Sequence, residues 1–482
     1  MKSAACIHAC RSLKAIVEFN PTRLGRTVKK GISVAICLCL LISNLAYAKE
    51  AIIADGKTDT TISQDGFATN ISTDPVVNQN AFNSFSRFNV DSGHTVNLYV
   101  PSGAANLLNL VHSERSSING VLNSIQNGQI GGNVYFLNPY GLIVGSEGTL
   151  NVGSLTAISP TTGFMESFFD SPNNPKGLAV TQVLEGEVPL NASGLITVSG
   201  TINAIGGIRI SGGDVENTGV ITSGAVFAGT SPDFRDVVNT VGFESGSAMS
   251  TENGSIVITA HSDVINRGII ASNGGDALDA NTIQIEAGND LLVQSGKVLA
   301  QGKGDGSSGG DVTLQAGGRI EITGGALIDA RGTVTGGDGD ISLTAAQSDH
   351  VTTREAQAGT GIKIANAELK GKDISLKASA DAQYELDGLP SLVLKNVDNR
   401  IGYSLEAAVA LAEAAAASEI ALENGSVLHA TGDIVLQADA AATAKTEVKD
   451  TGTERLSISF LYGEINSKAT VDVQDGAKIT AS

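Results

Sequence analysis

NGSIVITA (253–260), NTIQIEA (281–287), GDVTLQA (310–316), GDISLTA (339–345), GKDISLKA (371–378) and TGDIVLQA (431–438) are six copies of one pattern. Each alternates apolar and polar residues over a short run and stops at Gly, Asn or Asp, which reads as a strand with one face buried. The first apolar residues, Ile256, Ile283, Val312, Ile341, Ile374 and Ile434, are 27, 29, 29, 33 and 60 apart, the last step close to two of the others. Between two copies, DLLVQSGKVLAQGKGDGSSG (290–309) holds two further short strands separated by glycine. Three strands per unit predict an all-β, right-handed parallel β-helix, a three-faced solenoid with an N-terminal cap. A β-sandwich array is the alternative, but hairpin signals at every turn are missing.

Working outward, the composition fits a solenoid better than globules. The 482 residues include 57 glycines and no tryptophan, and only 17% are charged. Such a chain escapes the usual domain-size limit because each coil packs only on its neighbours. At roughly 25 residues per coil and about 4.8 Å per step, it would build a rod of about 80 Å. Eleven phenylalanines lie in 49–250 and one in 251–482, which marks a change of character near 245–255. Before it, longer loops such as FFDSPNNPKG (168–177) and TSPDFRD (230–236) interrupt the strands.

The first 48 residues read as a secretory signal. Arg23, Arg26, Lys29 and Lys30 precede GISVAICLCLLISNL (31–45), then Ala46-Tyr47-Ala48, with cleavage before Lys49. A membrane anchor is the alternative, but the apolar run is shorter than the roughly 20 residues a span needs. All four cysteines lie in this segment, so the mature chain has no disulfides, thiolate metal sites or cysteine nucleophiles. Seven of the 31 bases and one of the 50 acids also lie there, leaving 24 against 49 and a net charge near −25. That field excludes nucleic acid and anionic lipid as partners held by net charge. No stable membrane span is expected in the mature chain.

Two segments stay open. LEAAVALAEAAAAS (405–418) is rich in helix formers, yet its flanks are strand-like, so a short helix and an extended arm are equal readings. At the C-terminus, Leu422/Val473, Gly425/Gly476 and Leu428/Ile479 repeat at an offset of 51, and no polar cap follows. The expectation is that the chain is the N-terminal part of something longer.

Catalytic signals are weak. His94, His112, His261, His350 and His429 are scattered. Gly306-Ser307-Ser308-Gly309-Gly310 matches G-x-S-x-G but lacks a following helix. GGDGDISLT (336–344) is similar to a calcium nonapeptide with its aspartate one place early, and reads as a turn before a strand. No enzyme, cofactor or metal is expected, although aspartates and arginines on adjacent coils could assemble a polysaccharide-active site.

GGNVYFLNPYGLIVG (131–145) holds two apolar strands around Asn138-Pro139-Tyr140-Gly141, a type I turn by its Pro and Gly. Together with AFNSFSRFNVDSGHTVNL (81–98) and SINGVLNS (117–124), and in the same order, it resembles the N-terminal secretion domain of filamentous-haemagglutinin-type exoproteins of two-partner secretion. The repeats look like the adhesin stalk of that family, and their alanine-rich flavour is similar to leukotoxin-like filamentous adhesins. The resemblance implies domains at 49–290 (secretion) and 291–482 (adhesin repeats). It implies a partner, an outer-membrane β-barrel transporter with periplasmic recognition domains, and export from a diderm bacterium to the medium or cell surface. It also implies attachment to an unknown host-cell or matrix receptor. The family turn is usually Asn-Pro-Asn-Gly-Ile; Asn138, Pro139 and Gly141 carry over, Tyr140 departs, and Leu142 is conservative. A second family turn, Asn-Pro-Asn-Leu, is not visible. A recognition role and a plain corner are both readings of 138–142, and Phe82, Phe85 and Phe88 are expected to pack under an N-terminal cap. A toxin or toxin carrier on the same route is the principal alternative function, and a polysaccharide-active β-helix enzyme the third.

Overall fold

Ile256 pairs with Ile283, Ile283 with Val312, Val312 with Ile341, Ile341 with Ile374, and Ile374 with Ile434, all in parallel. The repeat read from the sequence is therefore the register of one face of a parallel β-helix. A computed structural model describes residues 51–224, 254–272, 279–351, 356–387, 392–394, 404–447 and 455–482. Ile52–Ser482 forms one unit. The signal residues, with Ala46, Ala48 and Lys49, and the segment 230–236 lie outside the described residues.

Three stacks of short parallel strands run through the unit. In the coil that holds the second apolar stretch, Asn133–Leu137 lies in the first sheet, Leu142–Val144 in the second and Thr149–Val152 in the third. Each pairs with its equivalents one coil before and one after. Alternate side chains point inward, so Val134, Phe136, Leu142, Val144, Leu150 and Val152 join one continuous core of Ile, Val, Leu and Phe. An antiparallel hairpin, Thr60–Asp65 with Ala68–Thr73, and Ile52–Ala54, antiparallel to Asn80–Val90, form an N-terminal cap.

Polar residues also stack. Asn97, Asn123, Asn151 and Asn203 each donate through Nδ2 to Oδ1 of an asparagine one coil earlier, starting from Asn70, at 3.0–3.1 Å. Asn123 and Asn151 are fully buried, and each amide satisfies the next, which offsets the cost of burial. A row of aspartates does similar work at the turn before the first sheet. Asp311, Asp340 and Asp373 accept the backbone N–H of Asp340, Asp373 and Asp433 respectively. This is the reason four of the six repeats carry Asp just before their first apolar residue.

Two expectations change. The step from Ile374 to Ile434 spans one coil, not two: the extra residues extend both sheets into an arm beyond the solenoid. One layer of the arm is Ile341–Val351, Ile374–Asp387 and Ile434–Glu447; the other is Ala356–Ala365, Ser404–Leu422 and Arg455–Val473. Between them lie Ala356, Ala358, Ala380, Ala382, Ala414 and Ala416. The segment 405–418 is thus extended, because small side chains let two layers meet, and this packing overrides helix propensity. Secondly, the region around 168–177 is not simply a loop. Helices α1 (Thr162–Glu166) and α2 (Gly177–Glu185) flank a small hairpin of Phe169–Ser171 and Asn174–Pro175. Helix α2 buries Ala179, Val180 and Val183 on one side and ends at Gly186 in the left-handed conformation.

Candidate secretion turn and its seat beneath a helical insertion

The corner between Asn133–Leu137 and Leu142–Val144 is closed by Asn138-Pro139-Tyr140-Gly141, with Gly141 N–H donating to Asn138 O at 3.0 Å. The side chain of Asn138 is buried and fully used. Its Nδ2 donates to Glu114 O at 2.9 Å and to Ser116 Oγ at 3.0 Å, both on the preceding coil. Its Oδ1 accepts Tyr140 N–H at 2.9 Å, an Asx turn. Glu114 O needs a donor while Tyr140 N–H needs an acceptor, which asparagine supplies at once and aspartate does not. Gly141 has φ of 95°, and a Cβ there would lie 2.0 Å from Leu195 O. Glycine is required on both counts. Tyr140 projects outward, 40% exposed, with only its backbone held, its carbonyl accepting from Arg115 Nε at 2.9 Å. This explains how the family position can change identity here. Leu142 is buried in the core.

Pro139 carries the contact that local sequence could not reveal. Its carbonyl accepts from Ser159 Oγ at 3.1 Å and from Asn191 Nδ2 at 2.7 Å. Ser159 and Asn191 are the two stems of the insertion that holds α1 and α2, and Asn191 N–H donates to Ser159 O at 2.9 Å. The turn is thus a seat: Asn138 ties it to the coil before, and Pro139 ties it to the insertion on the coil after.

The apolar character of the corner follows. Phe136 points into the solenoid, whereas Leu137 joins Phe82, Leu108, Leu110, Ile158, Phe164, Phe168 and Val183 beneath the insertion. Both faces of the first sheet are covered here, so the strands lose simple alternation. The three phenylalanines of Asn80–Val90 divide accordingly. Phe85 and Phe88 lie in the core beside strand Ile52–Ala54 of the cap, as expected, with Phe88 also against Phe136 at 5.3 Å between ring centres. Phe82 does not; it lies outside, 6.3 Å from each of Phe168 and Phe169.

The insertion also reaches the cap. Asn173, at the tip of its hairpin, donates through N–H to Lys57 O and accepts Asp59 N–H, each at 2.9 Å. Next to this clamp, Ser84 Oγ donates to Asp55 Oδ2 at 2.8 Å and lies 3.1 Å from His112 Nε2, with Lys57 Nζ 3.4 Å from His112 Nδ1. Burial and then the Lys57 ammonium hold the imidazole below its usual range, against the opposing pull of Asp55. Ser84 is fully buried and spends its proton on Asp55, so the group is a latch and not a nucleophile with its base. Among the other histidines, His350 faces Asp381 at 3.3 Å on the exposed arm. Ser308, the central serine of the G-x-S-x-G match, has its N–H on Asp279 in a loop. Among the described residues no group of three metal-ligating side chains converges, and no helix is long and apolar enough to cross a membrane.

Residues 50–272 match the family described as the TPS secretion domain. These residues are a two-partner secretion domain. The domain stands at the N-terminus of filamentous-haemagglutinin-type exoproteins, and it marks export from a Gram-negative cell through an outer-membrane β-barrel transporter. Comparison with solved structures finds the HMW1 secretion domain from Haemophilus influenzae, 16% identical, with a TM-score of 0.39, covering 86% of this chain and 98% of that one. Comparison with curated proteins finds no match. The turn, its seat and the insertion all lie inside the secretion domain.

Proposed function

We propose that the chain is a secreted or surface-displayed filamentous adhesin, a binding and structural protein rather than an enzyme. Residues 1–48 serve as its export signal, 49–290 as its secretion part and 291–482 as adhesin repeats. The reading rests on one observation: the core of the secretion domain runs without interruption into the coils after it, so the exported product is a single extended β surface. Attachment to a host-cell or matrix receptor is the use such a surface suits. Within the secretion domain, Asn138-Pro139-Tyr140-Gly141-Leu142 is the corner on which the insertion settles as the chain folds outside the cell. Tyr140 is the member of that corner exposed to a transporter.

The experiment is secretion from a surrogate Gram-negative host with and without a cognate transporter, followed by binding of the purified product to epithelial cells and to matrix proteins. Transporter-dependent release together with saturable binding supports an adhesin. Release with dye leakage from erythrocytes and no binding would assign a toxin, and new reducing ends from acidic polysaccharides would assign an enzyme.

A further inference from the structure

The arm begins abruptly. Strand Ile341–Val351 is paired on its N-terminal side only through Ala345, and Ala356–Ala365 only from Gly361 onward. Residues 346–351 and 356–360 therefore present strand edges with no strand partner on that side among the described residues. An open edge of this kind is a template for another chain. The chain itself shows how readily it is used: Ile374–Asp387 adds to Ile341–Val351 in register over the full length of the latter, and Ile434–Glu447 adds to Ile374–Asp387 likewise.

In the second layer, Ile364 O accepts Glu423 N–H from the following coil, so residues of its parity bond forward. The N–H groups of Gln357 and Gly359 consequently face the open edge. Neither is left bare. Gln357 N–H donates to Asp349 Oδ2 at 2.8 Å, and Gly359 N–H donates to Gln347 Oε1 at 2.5 Å. Both caps come from the opposite layer, and both break its pattern. Gln347 is followed in its column by Ala380 and Ala440, and Asp349 by Ala382 and Ala442. Only the leading coil places an amide and a carboxylate where later coils place methyl groups. An inward-pointing charge is a known way for a sheet edge to refuse a partner.

We propose that Gln347 and Asp349 close the leading edge of the arm against strand addition by a second copy of this chain. The occupant refused is a copy of the arm itself, because the alanine layers are complementary to their own kind, as the stacking within the chain demonstrates. With alanine at both positions, the leading coil becomes equivalent to those behind it, and a second arm can add by the same register.

The test uses the full mature chain, comparing wild type with the Gln347→Ala, Asp349→Ala double variant by light scattering on size-exclusion chromatography over a concentration series. The expected result is a monomeric wild type and a variant whose weight-average mass rises with concentration to about twice the monomer's or more. A variant with native circular dichroism that stays monomeric throughout overturns the proposal, as does a wild type that self-associates equally. Should the double variant lose its native spectrum, Asp349→Asn, which keeps an acceptor oxygen, is compared with Asp349→Ala. Association by the alanine variant alone supports capping; equal behaviour of the two refutes it.

Discussion

Asn191 Nδ2 donates to the carbonyl of Pro139 at 2.7 Å across 52 residues of sequence, so the stem of the helical insertion is fastened to the turn at 138–141. Folding of the turn and docking of the insertion are therefore coupled, and variants in one should be read out in the other.

Asn138→Asp is the sharpest probe of the turn. A carboxylate cannot donate to Glu114 O and leaves that half-buried carbonyl facing a charge, although the Ser116 hydroxyl can turn to donate to it. The cost should be about 2–4 kcal/mol, from an unpaired buried polar group with a charge added. Chemical denaturation of the purified secretion domain checks the value. Secretion through the transporter should fall with it, whereas Tyr140→Ala should leave denaturation unchanged. A loss of secretion in Tyr140→Ala at full stability would separate recognition from folding.

Leu137→Ala opens a space between the first sheet and the insertion without touching the solenoid core. A large-to-small change of this kind costs about 2–5 kcal/mol. Here the loss is local, so limited proteolysis should cut first near Asp170–Lys176 while the coils stay resistant. Cleavage distributed over the whole chain would show that the insertion is not an independently loosening unit.

The latch at His112 predicts a pH dependence whose sign follows from its depressed titration. The folded state resists protonating an imidazole that faces the Lys57 ammonium, while the unfolded chain protonates near its ordinary value of about 6.5. The latch therefore contributes fully above that value, and the contribution is lost as pH falls from about 6.5 toward the lower folded value. Between about pH 7.5 and pH 5.5 hydrogen exchange of the strand Ile52–Ala54 should slow less than the intrinsic base-catalysed rate does, an extra acceleration relative to that rate that reports loss of the latch. In His112→Gln that extra acceleration should vanish; its persistence would place the titrating group elsewhere.

Within the asparagine row, position should decide the cost. Asn123→Ala strands the amide of Asn151 and the acceptor of Asn97 together, for about 3 kcal/mol, whereas Asn203→Ala at the end of the row removes one bond, for about 1 kcal/mol. Thermal unfolding of the two variants side by side measures the difference.

The strands that build the solenoid were legible because their information is local. Ile256, Ile283, Val312 and Ile341 announce a buried face within five residues, and equal spacing stacks them. The turn was legible for the same reason, since Asn, Pro and Gly fix its backbone in place. What joins it to the rest was not, because Glu114, Ser159 and Asn191 lie on other coils. The asparagine row escaped notice although its members recur 26–28 residues apart before the insertion and 52 across it. A polar residue inside a strand looks solvent-facing unless its equivalents are aligned. Helix α2 was hidden because GLAVTQVLE follows a Pro/Asn-rich segment that reads as a loop, and its apolar face is defined only by Phe82, Leu108 and Leu110 beneath it. The 60-residue step misled for a related reason: spacing measures chain consumed, and an arm consumes chain without adding a coil.

The asparagine row has one more property. From Asn97 to Asn151, every amide donates toward the N-terminal side and accepts from the C-terminal side, Asn203 donates in the same sense at the end of the row, and the shorter row Asn80, Asn106, Asn133 runs likewise. The side-chain dipoles therefore lie head to tail instead of cancelling, and each polarises the next. These two rows are electrically oriented stacks, with a different terminus at either end, while the pairs Asn83–Asn109 and Asn217–Asn266 donate in the opposite sense. A coil laid down later on either of the two rows meets an exposed amide oxygen that already specifies which way its own asparagine must face.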